Sequence, residues 1–182
     1  LGPLLEDKKN KFCGQNLKYD ALVLSQYKIE LTGIIFDSMI AEHLLHPEKN
    51  SYKLDYLALD YLNYRMVPIE DLIGSGSKRI LRSEVPLKDI SFYAIENADV
   101  ALQVTLKQKV KLPQEKLSNP FKNIEMPLLP VLINMEKNGV YVDIKFLKTL
   151  SISLGKKIDD LIEQIHSISG HEFNVNSPKQ LS

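Results

Sequence analysis

Lys11-Phe12-Cys13-Gly14-Gln15-Asn16-Leu17-Lys18-Tyr19-Asp20 passes from a short apolar run, through a glycine, into residues that open a helix. A strand over residues 11–15 and a helix over about 19–27 follow from that change of period. The pattern then repeats. Ile34-Ile35-Phe36 is a second apolar run of strand length, and Asp37 or Ser38 stands where a helix N-cap belongs. Its helix carries Met39, Ile40, His43 and Leu44 and stops at Pro47. Two strands, each feeding a capped helix, predict an α/β domain in three layers.

Outward from that unit the pattern turns helical. Leu54, Leu57, Ala58, Tyr61 and Leu62 recur at helical spacing, and Pro68 opens a short helix through Leu72, closed by Gly74. A basic loop over 74–79 leads to Ser83, a candidate cap for a helix over about 86–110 that ends before Pro113. After a polar link over 113–120, Ile124, Leu128, Val131 or Leu132, and Met135 predict a helix bent at Pro127 and Pro130 and closed by Asn138-Gly139. Asp143 caps a long helix with an apolar seam, Leu147, Leu150, Leu154, Ile158, Leu161, Ile165 and Ile168, which Gly170 ends.

Composition excludes several classes. The 182 residues are 44% hydrophobic and 25% charged, values of an ordinary globular chain. No apolar run approaches the roughly 18 residues that span a bilayer, and with the charged start at Glu6-Asp7-Lys8-Lys9 no signal peptide is expected. A single cysteine, Cys13, cannot form an internal disulfide and suits a reducing, cytoplasmic location. With 23 basic and 23 acidic residues the formal net charge is zero, so a strongly basic nucleic-acid coat is absent.

Most chemical candidates reduce to solvated loops or packing. Gly74 to Lys78 lacks phosphate-loop spacing, and the four histidines show no metal-ligand spacing. Two segments are more specific. Asp20 stands beside a strand end at the opening of a helix, a place for an acidic metal ligand and equally for a carboxylate favoured by the helix dipole. Tyr93 and Asn97 sit four residues apart on one helix face. A phenol beside an amide can orient a water near a metal, and the same pair is also an ordinary tyrosine at the edge of a core.

Five segments in order give these residues a common context: GQNLKYD (14–20), FDSM (36–39), LDYLA (54–58), YAIENADVALQ (93–103) and NIEMPLLPVLINMEKNGVYVD (123–143). FNVNSPKQL (173–181) adds a sixth. The ordered set closely resembles the bacterial DNA polymerase I family, the family A polymerases, over essentially the whole chain. The last long block argues against a ribonuclease-D-like RNA-trimming enzyme, which shares the tyrosine chemistry.

The resemblance implies a partial ribonuclease-H-like 3′–5′ exonuclease domain over 1–117, a mixed sheet with flanking helices and its first strands upstream. An all-α helical hairpin over 118–182 would begin the polymerase domain. It also implies two-metal phosphodiester hydrolysis with Mg²⁺ or Mn²⁺ in the parent, in which carboxylates hold two ions about 3.5–4 Å apart. Asp20 matches the second-motif metal ligand and Tyr93 the tyrosine that orients the attacking water. Gln15, Asn16, Tyr19 and Leu54 match residues that contact the single-stranded 3′ end. The implied partner is DNA, with no membrane involved, and the molecule would act as a monomer in replication and repair.

Two departures bear on activity. The family's Asp-x-Glu first motif would lie upstream of Leu1. Its Tyr-x-x-x-Asp third motif reads Tyr93-x-x-x-Asn97 here, a neutral amide where an anion belongs. Asp99, two residues beyond Asn97, lies about 200° around the helix from it and faces away, whereas Glu96, about 60° from Tyr93, is the nearer candidate to substitute. The expectation is a segment that does not hydrolyse DNA by itself. The alternative is a degenerate exonuclease-like domain that supports the polymerase as a DNA-binding scaffold.

Overall fold

The computed structural model describes residues 1–181. The residues of β1 (Phe12–Gly14) and β2 (Ile34–Asp37) pair in parallel, with Gly14 opposite Asp37. The resemblance implies a mixed sheet; these two parallel strands are the whole of the sheet among the described residues. Gly33 sets up the pairing. Its φ of +69° is left-handed, its carbonyl accepts the Phe12 N–H at 3.0 Å, and a Cβ there would stand 2.1 Å from the Asn10 carbonyl oxygen. Only glycine fits.

Helices surround this small sheet. In chain order they are α1 (Gly2–Glu6), α2 (Leu17–Gln26), α3 (Ser38–Leu45), α4 (Leu54–Leu62), α5 (Ile69–Ile73) and α6 (Leu87–Gln114). The short α7 (Ser118–Pro120) runs through a π-helical turn (Phe121–Glu125) into α8 (Met126–Asn138), and α9 (Ile144–Ser169) and α10 (Pro178–Leu181) follow. The chain is α/β and mostly helical, as the repeated strand–helix pattern predicts.

Several boundaries differ from the sequence reading for identifiable reasons. Helix α2 starts at Leu17, two residues early, because its first amides find an acceptor across the sheet (below). Helix α6 begins after Pro86, while Ser83 belongs to a separate 3₁₀ turn, Arg82–Glu84. At its other end α6 passes Pro113 and ends at Gln114. A proline there removes one hydrogen bond near a helix end, and Leu112, 3% exposed, is buried beside Phe36. The bends expected at Pro127 and Pro130 become a π-helical turn in a continuous helical run, with the Met126 N–H bonded to the Phe121 carbonyl. Widening the helix just before Pro127 relieves the clash of the proline ring with the preceding turn.

Two apolar clusters hold this part of the molecule. Leu57, Ala58, Met66, Val100 and Val104 join α4 to α6, with Leu54, Tyr61 and Leu62 at the margin. Phe36, Ala41, Leu112 and Phe121 join β2, α3, α6 and the π turn. The rings of Phe36 and Phe121 stand 4.7 Å apart, a tilted aromatic pair. Helix α8 packs on α2 and β2, and Lys18 of α2 forms an ion pair with Glu136 of α8.

The chain divides into two compact units, residues 1–139 and the residues from Val140 on. In the second, the Asp143 carboxylate accepts the Phe146 N–H at 2.9 Å, and Gly170 ends α9 in the left-handed region at φ 73°. Both ends match the sequence reading. No helix among the described residues is long and apolar enough to cross a membrane.

Candidate functional site at the sheet edge and helix α6

The C-terminal ends of parallel strands are where α/β folds present ligand-binding groups. Here that edge is the turn from β1 into α2. Asn16 adopts the left-handed conformation at φ 57°, ψ 48°, a region that asparagine tolerates better than most residues. Its own side chain does not cap α2. The acceptor comes from β2: one oxygen of Asp37 takes the Leu17 N–H at 2.7 Å, and the other takes the Asn16 N–H at 3.2 Å. The same carboxylate accepts from Met39 and Ile40 at 2.9 and 3.3 Å, capping α3 as the sequence predicts.

Asp37 is 1% exposed. Burial pushes its acid above the ordinary carboxylate value, and the backbone amides of Leu17, Asn16, Ile40 and Met39 oppose that push without cancelling it. Asp20, in the first turn of α2, is also raised. Although the residue as a whole is exposed, its carboxyl loses part of its water against the protein, and the negative charge of Asp37 adds to the effect.

The other residues of this edge are held to different degrees. Gln15 is engaged at both ends of its amide: Nε2 donates to the Tyr52 carbonyl at 2.6 Å, and Oε1 accepts from the Ser38 hydroxyl. Tyr19 is 60% exposed, a ring presented to solvent. Leu54 is partly buried against the α4–α6 cluster.

Tyr93 and Asn97 lie on α6, each half-buried. The Asn97 side-chain Nδ2 donates to the Tyr93 carbonyl at 2.7 Å, which folds the amide back onto its own helix. Tyr93 also lines a cavity of about 200 Å³ with Val67, Leu72, Lys88, Asp89 and Phe92. Glu96 does not stand in for a carboxylate at position 97. It is 7% exposed and turned inward, accepting from the Tyr64 hydroxyl at 2.7 Å and the Val67 N–H at 3.1 Å.

A divalent cation pair needs several oxygen anions in one place. No group of three or more His, Cys, Asp or Glu side chains that could hold a metal ion exists among the described residues. The residues present therefore do not fit a two-metal centre on their own, and the chemistry of position 97, an amide bonded to its own helix, agrees.

Sequence reasoning missed a third polar constellation. Glu42 of α3, fully buried, accepts from Lys49 Nζ at 2.6 Å, the Tyr61 hydroxyl at 2.6 Å and Gln108 Nε2 at 2.9 Å. Lys49 also reaches Asp60 at 2.7 Å. Burial pushes the Glu42 acid up, yet the three donors and the Lys49 charge outweigh it and leave the group below its ordinary value. The network joins α3, α4 and α6 and lies within the framework behind the sheet edge.

The family model described as 3′–5′ exonuclease, of the DNA polymerase A type, matches residues 1–113. The chain belongs to the family A DNA polymerases. DNA polymerase I of Pseudomonas aeruginosa is 39% identical over all of this chain and 20% of its own length. That of Rhizobium leguminosarum is 36% identical over all of this chain and 18% of the relative. The chain thus spans about a fifth of the curated relatives it matches. Among solved structures, the polymerase domain of Pol1 from M. smegmatis, in complex with primer-template and dNTP, superposes with a TM-score of 0.77. That match covers 99% of this chain and 28% of the other at 23% identity. Brucella melitensis NrnC with bound Mg²⁺ follows at 0.58 and 16% identity, covering 78% of this chain and 65% of the other. At such identities the likeness speaks for the fold alone.

Proposed function

We propose that this chain is a segment of a family A DNA polymerase whose parent carries out template-directed DNA synthesis in replication and repair. Residues 1–117 form its ribonuclease-H-like 3′–5′ exonuclease domain and 118–182 the opening helices of its polymerase domain. In that reading the β1–α2 turn receives a single-stranded DNA 3′ end, through Gln15, Asn16 and Tyr19 with Leu54 beside them. Asp20 is a ligand for Mg²⁺ or Mn²⁺ in the parent, and Tyr93 orients water. The protein works as a cytoplasmic monomer.

The observation that carries the reading is Asp20, held at the sheet edge beside a solvent-presented Tyr19 in a chain of this family. Asn97 limits it. With one matched carboxylate and a neutral amide at the other matched position, these 182 residues by themselves bind DNA without cutting it. The purified chain, given Mg²⁺ or Mn²⁺, is expected to leave an end-labelled single-stranded oligonucleotide intact. Shortening that disappears in Asp20→Ala overturns this.

A second reading has the exonuclease-like domain as a non-catalytic DNA-binding scaffold in the parent as well. Two observations favour it: Asn97 is tied back to Tyr93, and Glu96 points away into Tyr64 and Val67. Asn97→Asp in the complete polymerase separates the two. A rise in 3′–5′ exonuclease rate keeps editing, and an unchanged rate favours the scaffold.

A further inference from the structure

We propose that Asp37 is the positioning residue of the DNA-binding edge, fixing the turn that presents Gln15, Asn16, Tyr19 and Asp20. The proposal rests on the reading that this edge receives a single-stranded 3′ end. Asp37 touches none of the four side chains' expected ligand; it acts through the backbone.

Helix α3 needs one short oxygen acceptor for Met39 and Ile40, and serine, threonine or asparagine would serve about as well as aspartate. A buried carboxylate with no cation is the costly choice, since removing a charge from water is expensive. Four backbone N–H groups from two helix starts nevertheless converge on it, at 2.7 to 3.3 Å. Both oxygens are used: Leu17 bonds one of them, and Asn16, Met39 and Ile40 bond the other. A hydroxyl or a carboxamide has a single acceptor oxygen and leaves no second one for the Leu17 N–H, the shortest of the four bonds. What aspartate adds over the ordinary caps is its hold on Leu17.

That hold matters because of where Leu17 and its neighbour Asn16 sit. Asn16 is left-handed, a conformation a non-glycine residue keeps only when its surroundings fix it. Its carbonyl accepts the Tyr19 N–H at 3.0 Å, so the first turn of α2 is built on it. The neighbours of Asp37 reinforce the same turn. Ser38 donates its hydroxyl to the Gly14 carbonyl at 3.0 Å and to Gln15, and Phe36 is locked against Phe121. Residues 36–38 therefore form the seat on which residues 14–17 are placed, with Asp37 at its centre.

The test uses the 182-residue chain, with Asp37→Ser as the separating variant. Serine still caps α3 from its own position but does not reach the α2 amides as well. Binding of a fluorescein-labelled oligo(dT) is read by anisotropy in EDTA, with amide hydrogen exchange and thermal melting on the same samples. Asp37→Ser is expected to melt cooperatively, to exchange the Leu17–Asp20 amides about tenfold faster, and to bind about tenfold more weakly, the loss of one or two charge-assisted bonds. Glu42→Gln is the control: it lowers the melting temperature at least as much but keeps oligo(dT) affinity within about twofold of the parent chain. Should Asp37→Ser fail to fold, Asp37→Asn, which keeps one acceptor oxygen, is judged by the same two readouts. Unchanged affinity in the folded Asp37 variant, with Tyr19→Ala weakened, overturns the proposal and leaves the DNA-binding edge standing. Equal binding by Tyr19→Ala and the parent chain, or none by either, overturns the DNA-binding edge and the proposal together.

Discussion

Asp37 and Glu42 are two carboxylates on adjoining elements, both almost fully buried, and their acids move in opposite directions. Asp37 meets only backbone amides, which partly offset its burial. Glu42 meets a lysine, a phenol and an amide, which more than offset it. Partial charges on N–H groups hold an anion in place, whereas a full cation is needed to make a buried anion comfortable. The first carboxylate is spent on geometry at the sheet edge, the second on tying three helices together.

The sharpest way to break the contrast is Glu42→Ala. It strands the Tyr61 hydroxyl and the Gln108 amide inside the protein and leaves Lys49 with Asp60 alone. A loss of about 2–4 kcal/mol of unfolding free energy is expected. Urea denaturation checks it, and a loss below about 1 kcal/mol would mean that the three-helix network contributes little.

Little of this was legible along the chain. Glu42 finds Lys49, Tyr61 and Gln108 at separations of 7, 19 and 66 residues, and no local pattern links such partners. Asp37 could be read as the cap of α3 because that bond is local; its grip on α2, twenty residues earlier, could not. Elements whose signals are local came through: α4, α5, and both ends of α9 at Asp143 and Gly170. Prolines misled in the other direction, since Pro113 read as a stop and Pro127 as a bend, while the burial of Leu112 and Phe121 accompanies helices that run on. For the site, Asp20 and Tyr93 are recognisable by family resemblance, but the inward turn of Glu96 is a tertiary choice that an angle on a helical wheel does not contain.

Lys49→Met turns Glu42 into a second Asp37 and reverses the sign of its pH dependence. In the parent chain the Glu42 acid lies below its ordinary value of 4.5, so its stabilising contribution is present above that pH and is lost as pH falls through the folded value. Without Lys49, burial dominates and the acid rises, so acidification from pH 7 toward 4.5 stabilises the variant relative to the parent. The difference in urea midpoint between the two proteins is expected to narrow on going from pH 7 to pH 4, by the equivalent of about 1 kcal/mol. A difference that stays unchanged on acidification would show that Tyr61 and Gln108 alone keep the Glu42 acid as low as it is in the parent chain. Asp20 and Asp37, raised where Glu42 is lowered, act with the opposite sign, and they cancel in that comparison because both proteins contain them.

The smallest effect belongs to an ion pair at the surface. Lys18 and Glu136 join α2 to α8 with side chains 32% and 47% exposed. Water screens both charges, and two long side chains lose freedom in meeting, so such pairs contribute between about 0 and 1 kcal/mol. Lys18→Met keeps a flexible aliphatic side chain and removes the charge. It is expected to shift the melting temperature by no more than about 2 °C at low ionic strength, and by less in 0.5 M salt. A larger shift that survives salt would place the Lys18 contribution in packing between α2 and α8 rather than in charge. The contact would then belong with Phe36 and Phe121 as part of the apolar seat beneath the sheet edge.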